Sequence, residues 1–140
     1  MKTIHKVAAI CIDNNKLLLV RKAKKGIWTT LGGKMEEGET EEECLRREVL
    51  EELNSPLELI RFIGRWEAIS NKDLFILSAY LISLTGEPHI TEPELEDFKY
   101  IGKKEFAFIR KAWLKRDKKI PVLAAEHLIP KLQEEKILDW

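Results

Sequence analysis

Gly32 to Glu52 reads GGKMEEGETEEECLRREVLEE, and this stretch decides the fold. From Thr40 to Leu53 its pattern is helical, with Leu45, Val49 and Leu53 four residues apart on one stripe. Thr40 and Glu43 have the spacing of a capping box, in which each side chain satisfies the other's free backbone donor. Acidic residues fill the first turn, where the helix dipole favours them. At the far end Asn54 suits a left-handed cap and Pro56 stops the helix. The paired glycines Gly32 and Gly33 force a turn just ahead of it.

Each helical residue turns about 100 degrees, so Glu48, Glu51 and Glu52 fall at roughly 0, 300 and 40 degrees. Three carboxylates therefore share one narrow face. A solvated acidic face is the usual meaning of such a run. The diglycine turn and acidic loop before the helix favour another meaning, because they let backbone groups approach a metal or a phosphate closely. Clustered carboxylates in a cleft repel one another and resist ionisation unless a cation compensates. Hard oxygen donors of this kind suit Mg2+ or Mn2+, which use a few carboxylates together with substrate phosphates.

Working outward, Val7 to Ile12 and Lys16 to Val20 are short β-forming runs around Asp13, Asn14 and Asn15, the pattern of an N-terminal hairpin. A basic loop, Arg21 to Gly26, leads to a short strand at Trp28 to Leu31. Beyond the helix, Leu57 to Trp66 and Leu74 to Leu84 read as strands flanking a turn at Ser70 to Asp73, and the second is apolar enough to be well buried. Phe98 to Ile101 is a further short strand, and Pro121 to Lys136 carries Leu128 and Leu132 on one helical stripe. Strands on both sides of a central helix, with a closing helix, predict an α/β fold: an α-β-α sandwich with a mixed central sheet.

The chain has 140 residues, the size of one domain, with 44% apolar and 34% charged residues, as in globular proteins. Residues 1–140 are expected to form a single domain. Lysine plus arginine equals aspartate plus glutamate at 24 each, so no global field favours nucleic acid or an anionic membrane. No apolar run approaches a membrane span, and Met1 to Lys6 has no signal-peptide core, which predicts a cytoplasmic protein. Cys11 and Cys44 lack the spacing of a zinc site or disulfide framework and read as buried thiols.

Gly33, five residues, Glu39, seven residues, then Arg47-Glu48-Val49-Leu50-Glu51-Glu52 resembles the signature of the Nudix hydrolases. Two positions depart from it: Asn54 stands for the final glycine and Ser55 for the last apolar residue. Leu31 replaces the proline common before the diglycine, which bears on substrate fit. The resemblance implies a Nudix-like sandwich and substitution by water at phosphorus in a nucleoside-diphosphate-linked substrate. It implies that Glu51 and Glu52 bind the principal metal, that Glu48 adds a ligand or removes the proton of the attacking water, and that the Gly33 carbonyl reaches the metal. Arg47 then orients a neighbouring glutamate, while Glu39 braces the loop. In the loop containing Glu94, Glu96 and Asp97, either Asp97 or Glu96 is the favoured auxiliary ligand or base, with simple solvation as the alternative.

Other assignments stay open at this level. Trp28 either stacks on a base or packs in the core, and packing is the plainer reading. Arg21, with Lys22, Lys24 and Lys25, either steers phosphates or lies in solvent. Gly32, like Gly33, would bring backbone close to substrate. The expected substrate is a small nucleotide, most simply a nucleoside triphosphate cut to monophosphate and pyrophosphate. A dinucleoside polyphosphate, a nucleotide sugar or an RNA cap would undergo the same chemistry. The absence of the downstream proline typical of ADP-ribose-directed relatives disfavours that substrate. A nucleotide-sensing module without catalysis is the competing class, but such modules usually lose signature carboxylates and none is missing here. Both monomer and homodimer are compatible with the sequence.

Overall fold

The computed structural model describes residues 1–116 and 118–140. Strand β1 (Thr3–Ile10) lies mid-sheet, antiparallel to β4 (Ile27–Lys34) and parallel to β6 (Asp73–Leu84). Its inner residues Val7, Ala8, Ala9 and Ile10 are all fully buried, so both faces of the strand are covered. β5 (Leu57–Ser70) is antiparallel to β6 and forms one edge. β2 (Ile12–Asp13), β3 (Lys16–Lys22) and β7 (Leu95–Ile101) complete the other side, where β3 pairs with β2, β4 and β7. The sheet is mixed, as the sequence predicts.

One layer is helix α1 (Glu41–Leu53), whose Cys44, Leu45, Val49 and Leu53 pack on Val7, Ala9, Leu18, Val20 and Leu31. The opposite layer contains α2 (Lys103–Lys115), α3 (Lys119–Leu123) and α4 (Ile129–Glu134). Their Phe106, Trp113, Leu123 and Leu132, with Leu128 between α3 and α4, cover Ala8, Ile10, Leu17, Leu19 and Leu77. Between α3 and α4 the backbone widens into a π turn, Ala124–Leu128, just ahead of Pro130. The proline ring has no N–H and excludes an ordinary carbonyl four residues back, which accounts for the widening. Among the described residues no helix is long and apolar enough to cross a membrane.

Three sequence expectations are corrected. Residues Val7 to Ile10 do not pair with β3; only Ile12 and Asp13 do, through a turn with Asn14 and Asn15 at positive φ. The chain leaves β1 at Cys11 because β1 is already paired on both sides, by β4 and β6. Helix α2, unforeseen, buries Phe106, Ile109 and Trp113 on one stripe. β5 runs on to Ser70 and closes on β6 through Asn71 and Lys72, both at positive φ.

Helix α1 is pinned at both ends. The Thr40 and Glu43 capping box is complete, and Asn54 sits at φ 51, ψ 38 in the left-handed region. On its first turn, Glu41 reaches into the sheet and accepts hydrogen bonds from Arg65 of β5 and from Ser78 and Tyr80 of β6, with the His5 ring 2.8 Å away. Burial alone would raise the Glu41 carboxyl, but the bonds from Arg65, Ser78 and Tyr80 outweigh it and hold the group near about 2 instead of 4.5. A carboxyl depressed in the folded state stabilises fully above its unfolded value and loses that contribution as pH falls through its folded value. Stability should therefore drop by about 2 kcal/mol between pH 5 and pH 2 through this group, after allowance for solvent screening. Thermal melting of wild type and Glu41→Gln across that window checks this: the variant should be the less stable at pH 7, and the difference should shrink towards pH 2.

Candidate active site

Gly32 and Gly33 do not form the turn expected of them: both lie within β4, paired with Ala8 and Val7 of β1, and the chain turns later, at Gly38. The two glycines have different duties. Gly32 has φ +114, and a β-carbon there would overlap the Val7 carbonyl of β1. Gly33 has no such backbone demand; a β-carbon there would overlap the Glu48 carboxylate. The absent side chain of Gly33 is what allows Glu48 to lie against the strand end.

Arg47 gathers this region. Its guanidinium is bidentate to Glu39, at 2.6 and 2.9 Å, and also donates to Glu48 at 2.8 Å, to Glu51 at 3.3 Å and to the Lys34 carbonyl at 3.1 Å. Such forked, charge-assisted bonds fix orientation as well as charge. The Glu39 carboxyl, bonded by Arg47 and by the Glu36 N–H, is held at about 2. Glu52 lies on the inner side of the face and accepts the Gly32 N–H at 2.7 Å.

Glu48, Glu51 and Glu52 share one cavity of about 400 Å3 with Gly32, Gly33, Lys6, Glu92 and Glu94. Burial pushes the Glu48 and Glu52 carboxyls above the usual range, and repulsion adds to it, from Glu51 at Glu48 and from Glu48 and Glu92 at Glu52. Burial likewise pushes the Lys6 ammonium down, opposed by the facing Glu52. Among the described residues no three such side chains converge on one point, because Arg47 draws Glu48 and Glu51 while Gly32 draws Glu52. The donor set nevertheless fits a hard divalent cation: all oxygen, crowded with like charge, and partly withdrawn from water.

A second cavity, of about 560 Å3, adjoins the first and shares Lys6, Lys22, Thr29 and Lys34 with it. Ile4, Phe75, Trp113 and Ile120 give it an apolar wall, and Arg116, Lys118 and Lys119 line it too. Lys6 donates to Thr29 at 3.3 Å across the junction. The cleft thus runs from carboxylates, across three lysines, to a partly apolar chamber. Negative groups are favoured in its middle and an aromatic or aliphatic group at its far end.

Four sequence assignments need correction in position. Asp97 and Glu96 do not line the acidic cavity: Asp97 accepts the Phe98 N–H, and Glu96 pairs with Arg21 at 2.9 Å. The loop carboxylates that do face it are Glu92 and Glu94, because β7 starts earlier than expected, at Leu95. Arg21 and Trp28 line neither cavity; their neighbours Lys22 and Thr29 do, since successive strand residues point to opposite faces. Trp28 packs against the core, and its carbonyl accepts the Trp113 indole N–H. Lys6 went unnoticed in the sequence, although a lysine entering the apolar run of β1 was the available signal.

The NUDIX domain pattern matches residues 3–123. The chain is 34% identical over 95 residues to the NAD-capped RNA hydrolase NudC of Vibrio parahaemolyticus, a match covering 65% of this chain and 35% of that protein. It is 30% identical over 99 residues to NudC of Mannheimia succiniciproducens, covering 69% and 36% respectively. The chain spans about a third of the length of these curated relatives. Among solved structures it resembles a UDP-X diphosphatase, with a TM-score of 0.76 at 16% identity over 97% of this chain and 64% of that one. It also resembles the E. coli ORF135 protein, with a TM-score of 0.67 at 23% identity over 93% and 92%. These structural likenesses establish a shared fold. With the family pattern running from β1 into α3 and the Gly33 to Glu52 signature inside it, the chain belongs to the Nudix family.

Proposed function

We propose that this chain is a metal-dependent pyrophosphohydrolase that splits a phosphoanhydride bond in a nucleoside-diphosphate-linked substrate, most simply a nucleoside triphosphate. The observation that carries this reading is the cleft itself: carboxylates able to hold Mg2+ or Mn2+ at one end, lysines at the junction, and an apolar chamber at the other end. Glu48, Glu51 and Glu52 hold the metal, with the Gly33 carbonyl beside them. When bound, the cation neutralises phosphate charge and makes a water nucleophilic.

The chain's own groups do the rest. Arg47 fixes Glu48 and Glu51, and Glu39 fixes Arg47. Lys6, Lys22 and Lys34 hold the phosphates at the junction, and Phe75 and Ile120 receive the nucleoside. A carboxylate, Glu48 or one of the loop glutamates Glu92 and Glu94, takes the proton of the attacking water. The new oxygen–phosphorus bond forms as the bridging bond breaks, and its electron pair leaves with the pyrophosphate.

With a nucleoside triphosphate and Mg2+, the products should be nucleoside monophosphate and pyrophosphate. Chromatography of the nucleotide with a separate pyrophosphate assay checks this; orthophosphate as first product would point to a different phosphatase activity. A second reading, the same chemistry on capped RNA, is favoured by the similarity to NAD-capped RNA hydrolases. Dinucleoside polyphosphates and nucleotide sugars belong in the same screen. Bound metal without turnover of any of these would indicate a sensing module.

A further inference from the structure

We propose that Arg116 and Lys118 on the wall of the larger cavity, with Lys25 beside Lys118 and Lys22 at the boundary with the acidic cavity, form an anion subsite holding a phosphate of the substrate other than the two that flank the scissile bond. The proposal rests on reading the joined cavities as the substrate cleft. Two separate parts of the chain meet here: the end of β3 with the loop after it, and Arg116 and Lys118 beyond α2. The first is closed by the Gly26 N–H donating to the Lys22 carbonyl at 2.8 Å, with Gly26 at φ +61. The second brings Arg116 and Lys118 to the cavity wall.

Lys22, Arg116 and Lys118 line the same cavity, and Lys25 lies close enough to Lys118 to act on its charge. The Lys118 ammonium is pushed down first by Lys25, then by burial, and further by Arg116 and Lys22. None of the four takes part in an ion pair among the described residues, whereas Arg46, Arg47, Arg61 and Arg65 all do. Folding that collects like charges beside an open cavity leaves a site that an anion relieves. Arg116 and Lys118 line only the larger cavity, not the one containing Glu48, Glu51 and Glu52. The phosphate they meet is therefore distinct from the pair undergoing cleavage. Its source is either the far end of a polyphosphate chain or the phosphodiester that follows the first nucleotide of an RNA.

The test uses the double variant Lys25→Ala/Lys118→Ala, which changes exposed side chains. Calorimetric binding of inorganic tripolyphosphate, in chelator so that no metal contributes, should weaken by about tenfold and become less salt-dependent. Equal affinity in both proteins would overturn the subsite. In turnover, kcat/KM should fall about tenfold for diadenosine tetraphosphate or for an NAD-capped oligoribonucleotide, and stay within about twofold for ADP-ribose and free NAD. Whichever of the first two falls names the source of the phosphate; an equal fall for all four would also overturn the subsite. A wild-type protein that hydrolyses none of them would refute the hydrolase reading, while the tripolyphosphate measurement would still decide the subsite.

Discussion

Glu52→Gln should remove nearly all turnover while leaving the melting temperature unchanged or slightly higher. The glutamine oxygen can still accept the Gly32 N–H that Glu52 now takes at 2.7 Å, so the end of β4 keeps its bond to α1. Burial and Glu48 both disfavour the Glu52 charge, so neutralising it relieves a cost of folding. What disappears is one anionic ligand from the face proposed to hold the cation, a loss on the order of a hundredfold or more in rate. A variant that retains more than about a tenth of wild-type activity would show that Glu52 is not a ligand.

Gly33→Ala should be the second severe lesion, and its character should differ from that of Gly32→Ala. At Gly33 the added methyl would displace the Glu48 carboxylate from its place against Arg47, without straining the backbone. Displacement of a reacting group by about 1 Å costs on the order of a hundredfold in rate, so activity should fall by about that much with only a modest loss of stability. At Gly32, where φ is +114 and the methyl meets the Val7 carbonyl, the fold itself should suffer. Steady-state kinetics and thermal melting of both variants separate the two duties. Wild-type kcat in Gly33→Ala would show that the position of Glu48 does not matter.

Much of this was legible in the sequence because local signals and tertiary demands agree. The capping box at Thr40, the left-handed Asn54 and the stripe of Leu45, Val49 and Leu53 all appear where spacing places them. The three carboxylates of α1 share a face for the same reason, since helical geometry is nearly independent of context. Strand partners were not legible: Val7 to Ile10 look like half of a hairpin, but their parallel pairing with β6 depends on residues about 70 positions away. On the strands the sequence named the basic run Arg21 and Lys22 together without telling which one faces the cleft, and it did not single out Thr29 beside Trp28, because either face of a strand buried on both sides can carry an apolar residue. The basic chamber was hidden for another reason. Its cations come from β1, from the ends of β3 and β4 and from residues beyond α2, and only the fold brings them together.

The central claim is that Glu48, Glu51 and Glu52 hold a divalent cation without which a phosphoanhydride bond is not cut. The most direct measurement is turnover of a nucleoside triphosphate by wild-type protein after chelation, followed by titration with Mg2+ and then Mn2+, with Glu52→Gln run in parallel. No turnover is expected in chelator, with saturable recovery on adding either metal and no recovery in the variant at the metal concentration that saturates wild type. Undiminished turnover in chelator, or equal recovery in Glu52→Gln, would contradict the claim.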